Sequence, residues 1–193
     1  LDVANDALRN PIFPEDHIER LRGERMTWLQ YSSFNTRYRA GKALREALYP
    51  DTHPYHYGTY GTEATISNFT VDDLKAFHAQ HYGPQGMIFV VVGAVSVDDA
   101  VAMVGDKFGD WQNPDQPDVI DAPTVTEFTG NRRTFAFVPG KSQSDISMGV
   151  VGPSRYSPDF VAAQLGNSVL GEFGMMGRIG KSVREEKGLA YYA

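Results

Sequence analysis

Apolar side chains recur along this chain with two periods, one near 3.6 residues and one of two, and the changes between them predict its elements. Pro14, Glu15 and Asp16 open a helix: proline lacks only an amide that would be orphaned there, and carboxylates favour the positive end of the dipole. Ile18, Leu21, Met26 and Leu29 form its apolar stripe, with Arg20, Arg22, Glu24 and Arg25 mostly solvated. A second helix is predicted from about Asn35 to Leu48, with Tyr38, Ala43, Leu44 and Leu48 inward, ended by Tyr49-Pro50-Asp51. Thr70 caps a third, on which Leu74, Phe77, His78 and His81 share a face. Ser96 caps a fourth, from Val97 to about Phe108, with Asp98 and Asp99 in its first turn.

The other period marks strands. Met87 to Val92 is a near-continuous apolar run and reads as a strand buried on both faces. Arg132 to Val138 alternates like a half-buried strand, and Asp145 to Val151 reads as another. Between them, Trp111 to Pro123 holds three prolines among aspartates without periodicity, as a linker does. After Pro158 a helix with Phe160, Val161, Leu165, Val169 and Leu170 inward leads into Gly171, Gly174, Gly177 and Gly180, read as a flexible interhelical turn. A further helix and the start of a strand follow. That opening strand, and Leu1 in place of an initiator Met, read as a piece of a longer protein.

Composition narrows this little. Of 193 residues, 41% are hydrophobic and 22% charged, as in an ordinary soluble globular protein. The net charge of -6 argues against a nucleic-acid partner. The absence of cysteine excludes disulfides, thiolate nucleophiles and Cys-based zinc sites in this stretch. No apolar run approaches the roughly 18 residues of a transmembrane segment. No signal peptide is visible, and localisation stays open.

Several motifs resemble chemical sites without completing one. His53 and His56 lie in an aromatic loop with no third ligand near in sequence, and His78 and His81 stand at i, i+3 without the glutamate of a helical zinc motif. Gly140-Lys141-Ser142 and Gly180-Lys181-Ser182 end like phosphate-binding loops, but Phe135 and Met175 occupy the places of the required first glycine. None is assigned a ligand.

The order of the parts carries more. His53-Pro54-Tyr55, Gly61-Thr62-Glu63, Leu74, Phe77, His81-Tyr82, Pro84 and the valine-rich stretch ending at Gly93 resemble the first-domain signature of the pitrilysin/insulinase-type zinc metallopeptidases, relatives of the mitochondrial processing peptidase. Ser142-Gln143-Ser144 into the Asp145 segment, Gly152-Pro153, and Gly171 through Arg178 to Arg184-Glu185-Glu186-Lys187-Gly188-Leu189-Ala190-Tyr191 resemble its second-domain signature. The resemblance implies an α+β fold of duplicated mixed-sheet domains with helices packed on one face. Residues 1–112 would be the C-terminal part of a first peptidase-like domain, 113–130 a linker, and 131–193 the N-terminal part of a second.

It also implies chemistry. The family's zinc motif, HxxEH, is absent from this chain, and any copy would lie upstream of Leu1. Aligned on Glu19-Arg20, the family's downstream zinc-binding Glu falls near Trp28, and Met26 to Gln30 contains no carboxylate. An indole N–H only donates. The chain therefore resembles the zinc-less kind of module, binding no metal itself, with zinc expected in the complete assembly. What remains is an Arg and a Tyr seven residues apart, matched by Arg184 and Tyr191, which in the family reach across to the zinc domain. The implied function is part of a zinc metallopeptidase that hydrolyses peptide bonds, contributing substrate-binding and transition-state groups. Its partners would be a peptide substrate and a zinc-bearing module in the same polypeptide or a partner subunit. The alternative is a catalytically inactive structural or binding subunit related to processing-peptidase core proteins.

Overall fold

The structure, a computed structural model, describes residues 1–118, 122–125, 130–172 and 176–191. They fall into two units, Leu1–Thr124 with Gly130–Ser147, and Val125–Thr129 with Met148–Ala193.

The first unit is built on helices whose ends are set locally. α1 spans Asp2–Arg9, α2 Glu15–Ser33 and α3 Thr36–Leu48. Pro14 stands at the N-cap of α2, and Asn35 caps α3 by accepting from the Tyr38 amide at 2.9 Å. A short 3₁₀ turn, Pro54–His56, precedes α4 (Glu63–Asn68), α5 (Val71–His81) and α6 (Val97–Phe108). Thr62 and Thr65 form a reciprocal box at the start of α4, and Thr70 and Asp73 form another at α5. The Thr70 side-chain and backbone hydrogen bonds hold the Asp73 carboxyl below the usual carboxylate range. Ser96 caps α6 through the Asp99 amide at 3.1 Å.

Polar ties join these helices. Arg22 of α2 donates to the carbonyls of Ile66 and Phe69, which satisfies acceptors at the end of α4. Trp28 of α2 meets Tyr38 of α3 edge-on at 5.3 Å. α1 is held against α6 by Lys107–Asp2 at 2.9 Å, and Arg9 pairs with Asp110 at 2.9 Å while lying 5.5 Å from the Trp111 ring. Hydrogen bonding and charge from Lys107 lower the Asp2 pKa, and its bonds to Asp2 and Asp106 raise that of Lys107. Phe108 and Val138 are the buried apolar side chains of this unit among the described residues.

The second unit is α7 (Phe160–Asn167), which runs on into a wider π turn at Ser168–Glu172, and α8 (Arg178–Gly180), which runs on into a second at Lys181–Glu186. A Cβ on Gly177 would stand 2.9 Å from the Gly171 Cα, so the two backbones approach too closely for a side chain. These two glycines make a close contact rather than a flexible turn. Gly174 lies outside the described residues. Val161, Leu165, Val169 and Leu170, expected inward, are exposed.

The expected α+β fold of mixed sheets is overturned. The described residues are helical and extended, with no strand and no sheet. Met87–Val92, Arg132–Val138 and Asp145–Val151 run without regular pairing. A strand exists only through a neighbour that takes up its N–H and C=O groups. Here the period of two survives without the ladder. Phe89 turns toward Phe108 of α6, with ring centroids 4.5 Å apart, while Ile88, Val90 and Val92 are 83%, 80% and 92% exposed. In the Arg132 segment Val138 is buried, and Phe135 and Phe137 are exposed.

Candidate functional site

The resemblance singles out Arg184 and Tyr191, both in the second unit. Arg184 lies on the π turn Lys181–Glu186, and Gly188 then reverses the chain with φ +60°, a left-handed conformation that glycine adopts without strain. The Gly188 amide donates to the Arg184 carbonyl at 3.0 Å, and the Leu189 amide to the Val183 carbonyl at 2.9 Å. This reversal lays Tyr191 back over the helix end. The Arg184 Cζ sits 4.7 Å from the Tyr191 ring centroid, a cation–π contact. Tyr191 is 81% exposed, and neither its hydroxyl nor the guanidinium has a hydrogen-bond partner among the described residues. The stacked pair therefore offers a phenolic donor and a planar fork of N–H donors to a ligand.

The histidines weighed as ligands act as structural connectors. His53 is 3% exposed; its Nδ1 accepts from the Tyr55 amide at 3.0 Å, and its Nε2 donates to the Pro123 carbonyl at 3.0 Å. An amide on one nitrogen and a carbonyl on the other select the neutral Nε2–H tautomer. His56 Nδ1 donates to the Tyr49 carbonyl at 2.8 Å, and His78 Nε2 to the Leu8 carbonyl at 2.7 Å. His81 stacks on Phe77 at 4.4 Å.

The donor set does not suit a metal. Among the described residues no three His, Asp or Glu side chains converge to hold an ion. Trp28, at the place matched to the family's downstream Glu, lies against Tyr60 at 4.3 Å and Tyr38, with the Arg25 Cζ 5.9 Å from its ring. A cation beside an indole opposes a second cation. The Arg25–Trp28–Tyr60 cluster is what sequence reasoning missed. Arg25 and Trp28 stand at the i, i+3 spacing of helix neighbours, but the sequence carried no signal for Tyr60.

The fold and this site define a helical module in which Arg184 meets an exposed Tyr191, with no convergent metal donors among the described residues. The chain belongs to the peptidase M16 inactive-domain family, whose profile matches residues 68–193. It is of the pitrilysin type and the inactive-module kind. It is 29% identical over 145 residues to an uncharacterized zinc protease of Mycobacterium bovis, covering 75% of this chain and 33% of that protein. It is 21% identical over 175 residues to the mitochondrial cytochrome b-c1 complex subunit 1 of Rattus norvegicus, covering 90% of this chain and 36% of that one. The crystal structure of a peptidase M16 inactive domain from Pseudomonas fluorescens superimposes with a TM-score of 0.74 at 27% identity, over 97% of this chain and 44% of that one. The chain thus spans about a third of the length of these curated relatives.

Proposed function

We propose that this chain is the non-zinc module of a peptide-bond hydrolase, supplying Arg184 and Tyr191 to a zinc-bearing module of the same polypeptide or of a partner subunit. The observation that carries it is the Arg184–Tyr191 contact at 4.7 Å, in which neither donor group is hydrogen-bonded among the described residues. Its family membership and the zinc proteases it resembles support the reading. Arg184 would hold a peptide carbonyl through its N–H fork, and the Tyr191 hydroxyl would donate to the oxygen on which charge develops as the carbonyl is attacked. The metal would be held by the other module.

In the assembled enzyme, Tyr191→Phe should lower kcat by about 10²-fold with KM little changed, because the lost hydrogen bond matters most in the transition state. Arg184→Gln should act mainly on KM. Turnover unchanged in Tyr191→Phe removes the role.

A second reading, an inactive structural or binding subunit, has the similarity to the cytochrome b-c1 subunit in its favour. Peptide hydrolysis absent from every assembly containing this chain, with complex formation intact, would select it. The assignment of 1–112 and 131–193 to two peptidase-like modules joined by 113–130 belongs to the same proposal, on the proline-rich, aperiodic sequence there. Limited proteolysis should first separate fragments that meet inside 113–130; first cuts elsewhere would remove it.

A further inference from the structure

A cavity of about 430 Å³ opens in the first unit between α2, α4 and the start of α5. Ile18, Leu21, Trp28, Ile66, Phe69 and Leu74 give it apolar walls. Its size falls in the range of roughly 300–1,000 Å³ typical of small-ligand sites. Three charged residues stand at its rim, and their pairing is uneven. Glu24 is held by Arg20 at 2.5 Å, and Arg22 is held by Glu19 at 3.0 Å and by the Ile66 and Phe69 carbonyls. Arg25 has neither an ion pair nor a hydrogen bond among the described residues. Its guanidinium lies 5.0 Å from the Tyr60 ring centre and 5.9 Å from that of Trp28. These aromatic faces orient it and leave its N–H groups unused.

We propose that this cavity binds the C-terminal end of a peptide whose last residue is bulky and apolar. The side chain enters the apolar walls, and the terminal carboxylate takes the Arg25 fork in a charge-assisted pair. Glu24, whose carboxylate keeps acceptor capacity beyond its bond to Arg20, takes the last amide N–H. A rim with both a free cation and an acceptor matches a peptide end. A fatty acid offers a carboxylate but no donor. The site is independent of the Arg184–Tyr191 reading, because none of its residues lies in the second unit.

The test uses the full chain with Trp111→Phe, leaving Trp28 as the sole tryptophan. It is titrated with acetyl-Ala-Ala-Phe as the free acid, the same peptide as its C-terminal amide, and decanoate. The free acid should produce a saturable change in Trp28 fluorescence and bind about tenfold tighter than the amide. Arg25→Gln should erase that difference, and decanoate should bind more weakly than the peptide acid. Calorimetry on the unmodified chain repeats the acid–amide comparison without either substitution. Equal binding of acid and amide overturns the proposal, and so does the absence of saturable binding. Decanoate binding as tightly as the peptide acid overturns it too, and would assign the cavity to free amphipathic acids.

Discussion

Asp73 shows how a single carboxylate ties the fold to pH. It caps the Thr70 amide at 2.9 Å, and the hydrogen bonds from Thr70 lower its pKa from the ordinary 3.8. A depressed folded-state pKa means that the stability it contributes is fully present above the unfolded value and is lost as pH falls through the folded one. An NMR titration of the Asp73 side chain should give a midpoint below 3.8, and Thr70→Ala should move it back toward that value. A midpoint at or above 3.8 in the parent would show that the box is open in solution. Lys107 has the opposite sign: its raised pKa makes its contribution complete below 10.5 and lost at higher pH. The Lys107–Asp2 tie is therefore intact across neutral pH. Not every candidate residue was legible at this scale. Arg184 and Tyr191 were found through family likeness, because a guanidinium and a phenol seven residues apart look like any helix end and strand. Arg25 escaped notice because its distinction, a charge left unpaired among the described residues, depends on where the carboxylates go.

Among the elements, capped helices were the legible part. Thr70 and Ser96 each sit one residue before the helix they cap, as the sequence predicts, and Asn35, expected as the first residue of its helix, caps it from one residue outside, because a cap and its amide are three residues apart in any fold. Ser96→Ala should cost about 1 kcal/mol, measured by thermal unfolding. Met87–Val92, Arg132–Val138 and Asp145–Val151 failed as strands for the converse reason: an alternating or apolar run states a preference for a pleated surface, and the pairing partner lies elsewhere. The glycines of the second unit show the same limit. Their spacing marked the place, but only the backbone approach of Gly177 to Gly171 shows that the place is crowded. Gly177→Ala should destabilise this unit by about 1–3 kcal/mol through overpacking, seen as a lower Tm. Gly188→Ala should cost about 1–2 kcal/mol from its left-handed φ and weaken the Arg184–Tyr191 contact. An unchanged Tm for either would place the strain elsewhere.

For the molecule as a whole, the exposed apolar rows are the dominant liability. Ile88, Val90 and Val92 form one, Phe135 and Phe137 another. Extended, apolar and without regular pairing, such segments favour self-association. Val90→Lys combined with Phe137→Lys should reduce light scattering on concentration while leaving the helical circular dichroism unchanged. Scattering that persists would show that other surfaces carry the association.

The histidine and arginine ties of the first unit also set an order of events. Each helix closes on residues three or four apart and forms in about a microsecond. His53 to Pro123 and His78 to Leu8 each join residues 70 apart, Arg9 to Asp110 spans 101, and the Thr36 hydroxyl donates to an Asp145 carboxylate 109 residues later. At a synthesis rate of roughly 5–20 residues per second, Thr36 is made about 5–20 s before its partner exists. For that interval α2 and α3, of 19 and 13 residues, lack this long-range tie, and helices of such length are only marginally stable without tertiary packing.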